Sequence, residues 1–192
     1  VAIYPQKVDQ RAATPRSAGQ IGFPDASGRS ASFICGCFAA FSLRVENKST
    51  KVTEVAFQTN GCGFMIAAAD VLSETVGNSD LADLHGLKSS DLFTAIDAEL
   101  DAFPVDRRQC ADVCIEALRN SFADLRARRV EEFRGEKALI CTCFGVSEEI
   151  IEDCIAREPE QTVDDVSAAC NAGSGCGSCR MLIQEMLDSH FR

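Results

Sequence analysis

Two cysteine pairs bracket the last part of this chain: Cys141-Thr-Cys143 near its start and Cys176-Gly-Ser-Cys179 near its end. A segment of roughly fifty residues buries too little apolar surface to be secure alone, and a metal centre tying its start to its end would supply the missing stability. The chain holds 11 cysteines, and an odd count argues against complete disulfide pairing. The first apolar stretch is broken by Lys7, Asp9, Arg11 and Arg16, unlike a signal peptide. No apolar run approaches a membrane span either. The sequence therefore reads as cytoplasmic, where thiols stay reduced and serve metal or redox chemistry. Only His85 and His190 could add imidazole, and neither sits beside a cysteine, so any metal site must be built mainly from sulfur.

The 192 residues suit one ordinary domain or two small ones, and the charge favours two. Of the net charge of −10, residues 1–130 carry −2 and residues 131–192 carry −8. An acidic chain makes a poor partner for nucleic acid, whose affinity comes from phosphate neutralisation; no membrane partner is expected. The break is placed at "EEFRGEK", a linker over 131–137 between modules 1–130 and 138–192.

Residues 1–31, with Pro5, Pro15 and Pro24, read as a partly ordered arm with a short helix over 6–12. Apolar alternation predicts strands over 38–46 and 52–59, joined at the turn cluster "NKST". Cys35 and Cys37 would lie on one side of an extended chain entering the first of these strands. Cys62, between Gly61 and Gly63, marks a tight turn into a helix over 65–76. Helices are expected over 80–84, 92–100 and 108–129, the last with an apolar stripe at Val113, Ala117, Leu118, Phe122 and Leu125. The first module is thus α+β, a small antiparallel sheet packed with helices. In the second module, Ser147 caps a helix closed by Pro159, "TVDD" starts another at Thr162, and a last helix covers 180–188. That module reads as small and all-α.

A helix N-terminus favours thiolate, the form that binds metal. Cys62 and Cys110 both head helices, while Cys35 and Cys37 stand at a loop-to-strand entry, so these four can converge. Arg107 and Arg108 beside Cys110 either lower its pKa or are simply solvated. Cys114, one turn beyond, is core or a spare thiol near the site. Cys154 and Cys170 fit buried apolar cysteines. For Cys141, Cys143, Cys176 and Cys179, a thioredoxin-like dithiol lacks its βαβ surroundings and "GSGCG" is no dinucleotide loop. Structural zinc stays open on spacing alone. No Ser/His/Asp grouping or phosphate loop appears, so the chain reads as neither a hydrolase nor a nucleotide enzyme. Neither His85, on a short helix, nor His190, in the tail, is expected to be a ligand.

"ICTCFGVSEEII" and "TVDDVSAACNAGSGCGSC" resemble the bacterioferritin-associated-ferredoxin (BFD)-type [2Fe–2S] domain over about 138–190. The resemblance implies that Cys141, Cys143, Cys176 and Cys179 ligate one permanent, redox-active [2Fe–2S] cluster. "YPQKVDQRAATPRSAG", "CGC", "TNGCGFMIAAADVLSE" and "RRQCADVCIEAL" resemble the NifU/IscU iron–sulfur scaffold family from Tyr4 to about Arg129. The fold implied is the small α+β fold of SufE, NifU and IscU. The resemblance makes Cys35, Cys62 and Cys110 the scaffold thiols, holding a transient [2Fe–2S] or [4Fe–4S] cluster, or zinc. Partners implied are a cysteine desulfurase as sulfur donor, apo iron–sulfur clients and an electron donor, with a homodimer as a candidate state. The layout is that of NifU without its usual third, Nfu-type domain.

The family's Asp is Cys37 here, and its His before the last cysteine is Gln109. "FPVDRR" lacks the double proline and the lysine after valine of the family's chaperone-recognition loop. An oxygen ligand helps keep a cluster labile, whereas Cys37 completes an all-thiolate set with Cys35, Cys62 and Cys110. Two functions follow: a scaffold that builds a cluster and passes it on, or a two-centre electron-transfer or redox-sensing protein that transfers none.

Overall fold

The computed structural model describes residues 4–46, 50–132, 138–157 and 161–190. Most of the turn expected at "NKST", residues 133–137 of the expected linker, and Pro159 lie outside the described residues. The chain forms two compact units, Val1–Leu125 and Arg126–Arg192.

In the first unit, α1 (Gln6–Ala13) precedes strands β1 (Ala26–Ala31), β2 (Phe38–Val45) and β3 (Val52–Thr59). Then come α2 (Gly63–Val76), α3 (Leu81–Leu84) and α4 (Ser89–Glu99). One 3₁₀ turn at Val105–Arg107 leads into α5 (Arg108–Glu132), which runs through Glu131 and Glu132 of the expected linker. The strands form an antiparallel sheet in the order β1-β2-β3, with Phe41 opposite Phe57 on one side and Gly28 on the other. Ala39, Phe41, Leu43 and Val45 of β2 alternate into the core as their period-two pattern requires.

The sequence reading placed no strand before residue 31, yet Ala26–Ala31 is β1. "ASGRSA" has little intrinsic strand propensity, and tertiary contacts with α5 hold it. A Cβ on Gly28 would lie 2.0 Å from Ser121 N and 2.5 Å from Ala117 O, so only glycine lets strand and helix backbones come this close. Around that contact Ser27 N donates to the Asp124 carboxylate at 2.8 Å, and Asn120 Nδ2 donates to Arg29 O at 3.0 Å.

The rest of the arm is fixed too. Val8 of α1 is fully buried. Arg11 Nε, Arg16 N and Ser17 N all donate to the Asp70 carboxylate at 2.8–2.9 Å. Glu74, one turn further along α2, pairs with Arg11 and Arg16. Beyond this clasp, residues 17–19 run along β3, Ser17 O accepting from Phe57 N and Gly19 N donating to Phe57 O, both at 2.9 Å. α2 is apolar nearly all round (Met65, Ala67, Ala68, Ala69 and Leu72 are at most 1% exposed), as befits a helix packed by α1, β3 and α4.

The second unit contains the antiparallel pair β4 (Leu139–Cys141) and β5 (Val146–Ser147), then α6 (Glu148–Ile155), α7 (Val163–Cys170) and α8 (Arg180–His190). The short hairpin is an addition to the all-α expectation. Ser147 caps α6 by accepting from Ile150 N. Thr162 and Asp165 form the expected capping box on α7. Ile151, Ile155, Val166, Ile183 and Leu187 fill the core between these helices.

Gly28→Ala should destabilise the first unit by about 1–3 kcal/mol, the usual cost of forcing extra volume into a packed contact. Gly22→Ala, where nothing lies within 4 Å of the new methyl group, should leave stability unchanged. Urea midpoints of the two variants check this, and equal midpoints would contradict the close β1–α5 contact.

Candidate functional site

Cys62 is the N-cap of α2, and its carbonyl accepts from Met65 N and Ile66 N. The turn that presents it is held from two sides. Asn60 Oδ1 accepts from Phe38 N at 2.8 Å, tying the turn to the start of β2, and Thr59 Oγ1 accepts from Gly61 N at 3.0 Å. On the other side the hydroxyl of Tyr4 accepts from Gly63 N at 3.1 Å. The Tyr4 ring fills the space a Cβ on Gly63 would need and meets Phe64 edge-on, centroids 5.2 Å apart. Tyr4 and Asn60 were not picked out from sequence. The only tyrosine in the chain, at the head of the arm, was the available signal.

Cys110, in the first turn of α5, lies 3.9 Å from Cys62 sulfur to sulfur. Burial, then the charge of Cys62, pushes its thiol up to about 12, and the lowering by Arg107 is the smaller effect. The expected pKa depression at Cys110 is therefore corrected: desolvation wins. Arg107 and Arg108 lie instead over the rings of Phe64 and Phe93, at 5.6 and 4.3 Å. Cys114 is fully buried, its Sγ 3.5 Å from Met65 O, and burial pushes its thiol further up. It is a core cysteine. Gln109 is half-buried beside Cys110.

Cys35 and Cys37 do not lie in an extended segment. Residues 33–35 form a turn, closed by Gly36 N donating to Ser32 O at 2.9 Å and Ser32 N donating to Cys37 O at 2.8 Å. Gly36 has φ +70°, which breaks the period-two geometry assumed from sequence. The Cys37 thiol lies 3.9 Å from the Cys35 carbonyl oxygen. Cys35 is exposed, and its thiol is lowered by the Ser32 hydroxyl first and then by Cys37. Cys37 is raised, by its side-chain interaction with Cys35 first and by burial next. The Cys35 charge is in turn felt at Cys110. Cys62 and Cys110 meet where α2 and α5 begin, and the bonds of Phe38 to Asn60 and Thr59 tie the end of the Cys35–Cys37 turn to the same end of the unit. Phe33, Ile34 and Val105, all largely exposed, border these segments.

In the second unit Cys141 ends β4 and Cys143 lies in the turn to β5, while Cys176 and Cys179 lie in the loop before α8. Cys143 donates to Cys176 at 3.4 Å. Cys176 is exposed and pushed down to about 7, foremost by the Ser178 hydroxyl 3.2 Å away and then by the Ser178 backbone. Cys179 is buried and pushed up to about 11, by desolvation first and then by Cys141, while the Gly173 backbone opposes the rise. Burial raises Cys143, and a backbone hydrogen bond at Cys176 opposes that rise. Backbone groups of the loop before α8 lower Cys176 and oppose the rise at Cys143 and Cys179, and Gly173 and Gly177, at φ +84° and +77°, shape that loop. Four cysteines on two turns, one of them supplying such donors, suit a thiolate-ligated iron–sulfur cluster. Cys154 is buried as expected, and Cys170 is half-buried with Sγ 3.2 Å from Val166 O. Among the described residues no three His, Cys, Asp or Glu side chains form a ready-made metal cage. Sulfur approaches sulfur at Cys62–Cys110 and at Cys143–Cys176. His190 is exposed at the end of α8 and His85 half-buried after α3, neither in a thiol contact described above.

Residues 3–132 match the family model of the NifU-like N-terminal domain, and residues 139–189 match the BFD-like [2Fe–2S]-binding domain. The nitrogen fixation protein NifU of Azotobacter chroococcum is 29% identical over 98% of this chain and 60% of its own length. The iron–sulfur cluster assembly scaffold protein IscU of Aquifex aeolicus is 28% identical over 67% of this chain and 81% of its own length. The chain thus spans well under two thirds of the full-length NifU proteins it matches. The crystal structure of a NifU-like N-terminal protein from Brucella abortus superposes with TM-score 0.50 at 15% identity, over 66% of this chain and 96% of that one, and shows the same fold. No described helix is long and apolar enough to cross a membrane.

The thiol environments set an order of reactivity. In iron-free protein at neutral pH, Cys176 and Cys35 should be alkylated first and Cys110, Cys114 and Cys179 last. The Cys176 rate should rise to half its maximum near pH 7. Ser178→Ala, which removes the main donor to that thiolate, should move this midpoint upward. Peptide mass mapping of timed iodoacetamide reactions checks the order, and an unmoved midpoint would contradict the role of Ser178.

Proposed function

The chain belongs to the NifU-like N-terminal domain family, and from that membership and the placement of its thiols we propose that it is an iron–sulfur cluster assembly scaffold. The observation that carries the reading is the 3.9 Å approach of Cys62 to Cys110, with the end of the Cys35–Cys37 turn tied to the same end of the unit through the Phe38–Asn60 bond. Module 1–130 receives sulfur as persulfide from a cysteine desulfurase, and iron, as its substrates. It builds a transient cluster on these four thiols and passes it to apo client proteins. Cys37, standing where the family has Asp, gives a softer ligand set and a tighter hold. Beyond the linker 131–137, module 138–192 would hold a resident [2Fe–2S] cluster on Cys141, Cys143, Cys176 and Cys179. Such a cluster supplies one-electron chemistry. The net −8 of residues 131–192 suits docking to a basic electron-donor partner, in the cytoplasm.

Cys37 also supports a second reading, in which four thiols in each module hold permanent clusters for electron transfer or redox sensing. The two readings differ in whether the first cluster leaves. Full-length protein loaded anaerobically with iron and sulfide should transfer a cluster to apo-ferredoxin within minutes, followed by visible circular dichroism with an EDTA control against release into solution. Cys37→Asp should transfer on the order of tenfold faster and hold its cluster less tightly, as expected when a soft ligand is replaced by a hard one. A first cluster that loads and stays put in both proteins would establish the electron-transfer reading instead.

A further inference from the structure

The Cys35–Gly36–Cys37 turn has a property that iron ligation does not require. Its two thiols sit one residue apart in a loop closed by the Ser32 O to Gly36 N and Ser32 N to Cys37 O bonds. The positive φ of Gly36 folds the segment back on itself. Cys35 is exposed and Cys37 sits half-buried behind it, its Sγ 3.9 Å from the Cys35 carbonyl oxygen. A carboxylate at position 37 could ligate iron, but it could neither attack sulfur nor be oxidised in the process.

A persulfide delivers sulfur two electrons short of sulfide. We propose that Cys37 is the resolving thiol that reduces a persulfide on Cys35, releasing sulfide at the assembly site. The inference rests on the scaffold reading, which supplies the sulfur donor. The Cys37 sulfur attacks the inner sulfur of the Cys35 persulfide. A Cys35–Cys37 disulfide forms as the bond to the outer sulfur breaks. That sulfur leaves with the bonding electron pair as hydrosulfide, and the Cys37 proton passes to it or to solvent. The two cysteines are together oxidised by two electrons, and the sulfane sulfur is reduced by the same two. A dithiol reductant, protein or small molecule, then reopens the disulfide by exchange and is itself oxidised. Proximity favours the first step, because attacking and attacked sulfurs belong to one preformed turn. A disulfide spanning a single residue departs from relaxed geometry, which makes it readily re-reduced.

The test uses reduced, desalted full-length chain without iron or added thiol, given a cysteine desulfurase and one equivalent of cysteine. Wild type should release close to one sulfide per chain, lose the mass of two hydrogens, and yield a Cys35–Cys37 disulfide in peptide maps. Cys37→Ser should keep the mass of the added sulfur on Cys35 and release no sulfide. Sulfide release from Cys37→Ser at the wild-type rate would overturn the proposal. So would a stable persulfide on wild type, or a wild-type disulfide mapped to Cys62 or Cys110. The disulfide map needs no variant, so the outcome does not depend on Cys37→Ser folding. A parallel sample of wild type given ferrous iron and sulfide directly separates the two levels. Sulfide release without cluster assembly there would leave the dithiol chemistry standing and overturn the scaffold reading. A wild-type chain that takes up no sulfur at all would overturn this inference, whatever the parallel sample shows.

Discussion

The first unit hangs on one buried carboxylate. Asp70 is 1% exposed on an otherwise apolar helix, a position a charge tolerates only if its oxygens are answered. Arg11 Nε and the backbone N–H groups of Arg16 and Ser17 answer them. Those partners come from the arm, so the arm cannot leave without stranding a charge in the core. With the arm in place, Tyr4 closes over Gly63 and residues 17–19 pair along β3. The turn that presents Cys62 is therefore clamped between the arm on one side and Asn60 on the other. A glycine-flanked cysteine would otherwise be the loosest part of the site.

The two sets of thiols use one chemistry in different surroundings. In the first unit the sulfurs come from three separated segments, with Cys35 in solvent and Cys110 buried. In the second, Cys141 and Cys179 are buried and Cys176 is exposed, and backbone groups of the loop before α8 lower Cys176 and oppose the rise at Cys179. Amide donors stabilise an anionic cluster. The amide donors of the second set suit the resident cluster proposed for it.

Much of this could be read in the chain because local rules decide it. The Ser147 cap and the Thr162 box with Asp165 depend on residues three positions apart. So does the cysteine spacing of the second module. The glycines around Cys62 announce a tight turn into a helix whether or not the rest of the fold is known. What escaped depends on partners distant in sequence. β1 is a strand only because Gly28 lets it lie on α5, about ninety residues later, and "ASGRSA" says nothing of that by itself. Likewise Tyr4 matters through a helix it meets only in the fold. At Cys110 the sequence left open whether the adjacent arginines lower the thiol; burial outweighs Arg107, and both guanidinium groups lie over aromatic rings. For Cys35 and Cys37 the extended-chain geometry was wrong, because Gly36 at φ +70° turns the chain between them.

Cys37 need not be either a ligand or a reductant, because the two roles fall at different stages. On the proposed reading, the Cys37 thiol meets incoming sulfur before iron is bound, in the turn that Gly36 folds back on itself. Once sulfide and iron are present, the same sulfur, reduced again, is a soft ligand that iron prefers to oxygen. An aspartate at 37 serves only the second stage, and then weakly. On that chain the electrons for sulfide must come from elsewhere. A cysteine there makes the site more self-sufficient in sulfur chemistry and more reluctant to release what it builds. The cost of a tighter hold and the benefit of an internal reductant thus come from the same atom. Which of them dominates in the working protein depends on how fast a dithiol can reopen the Cys35–Cys37 bond relative to the arrival of iron.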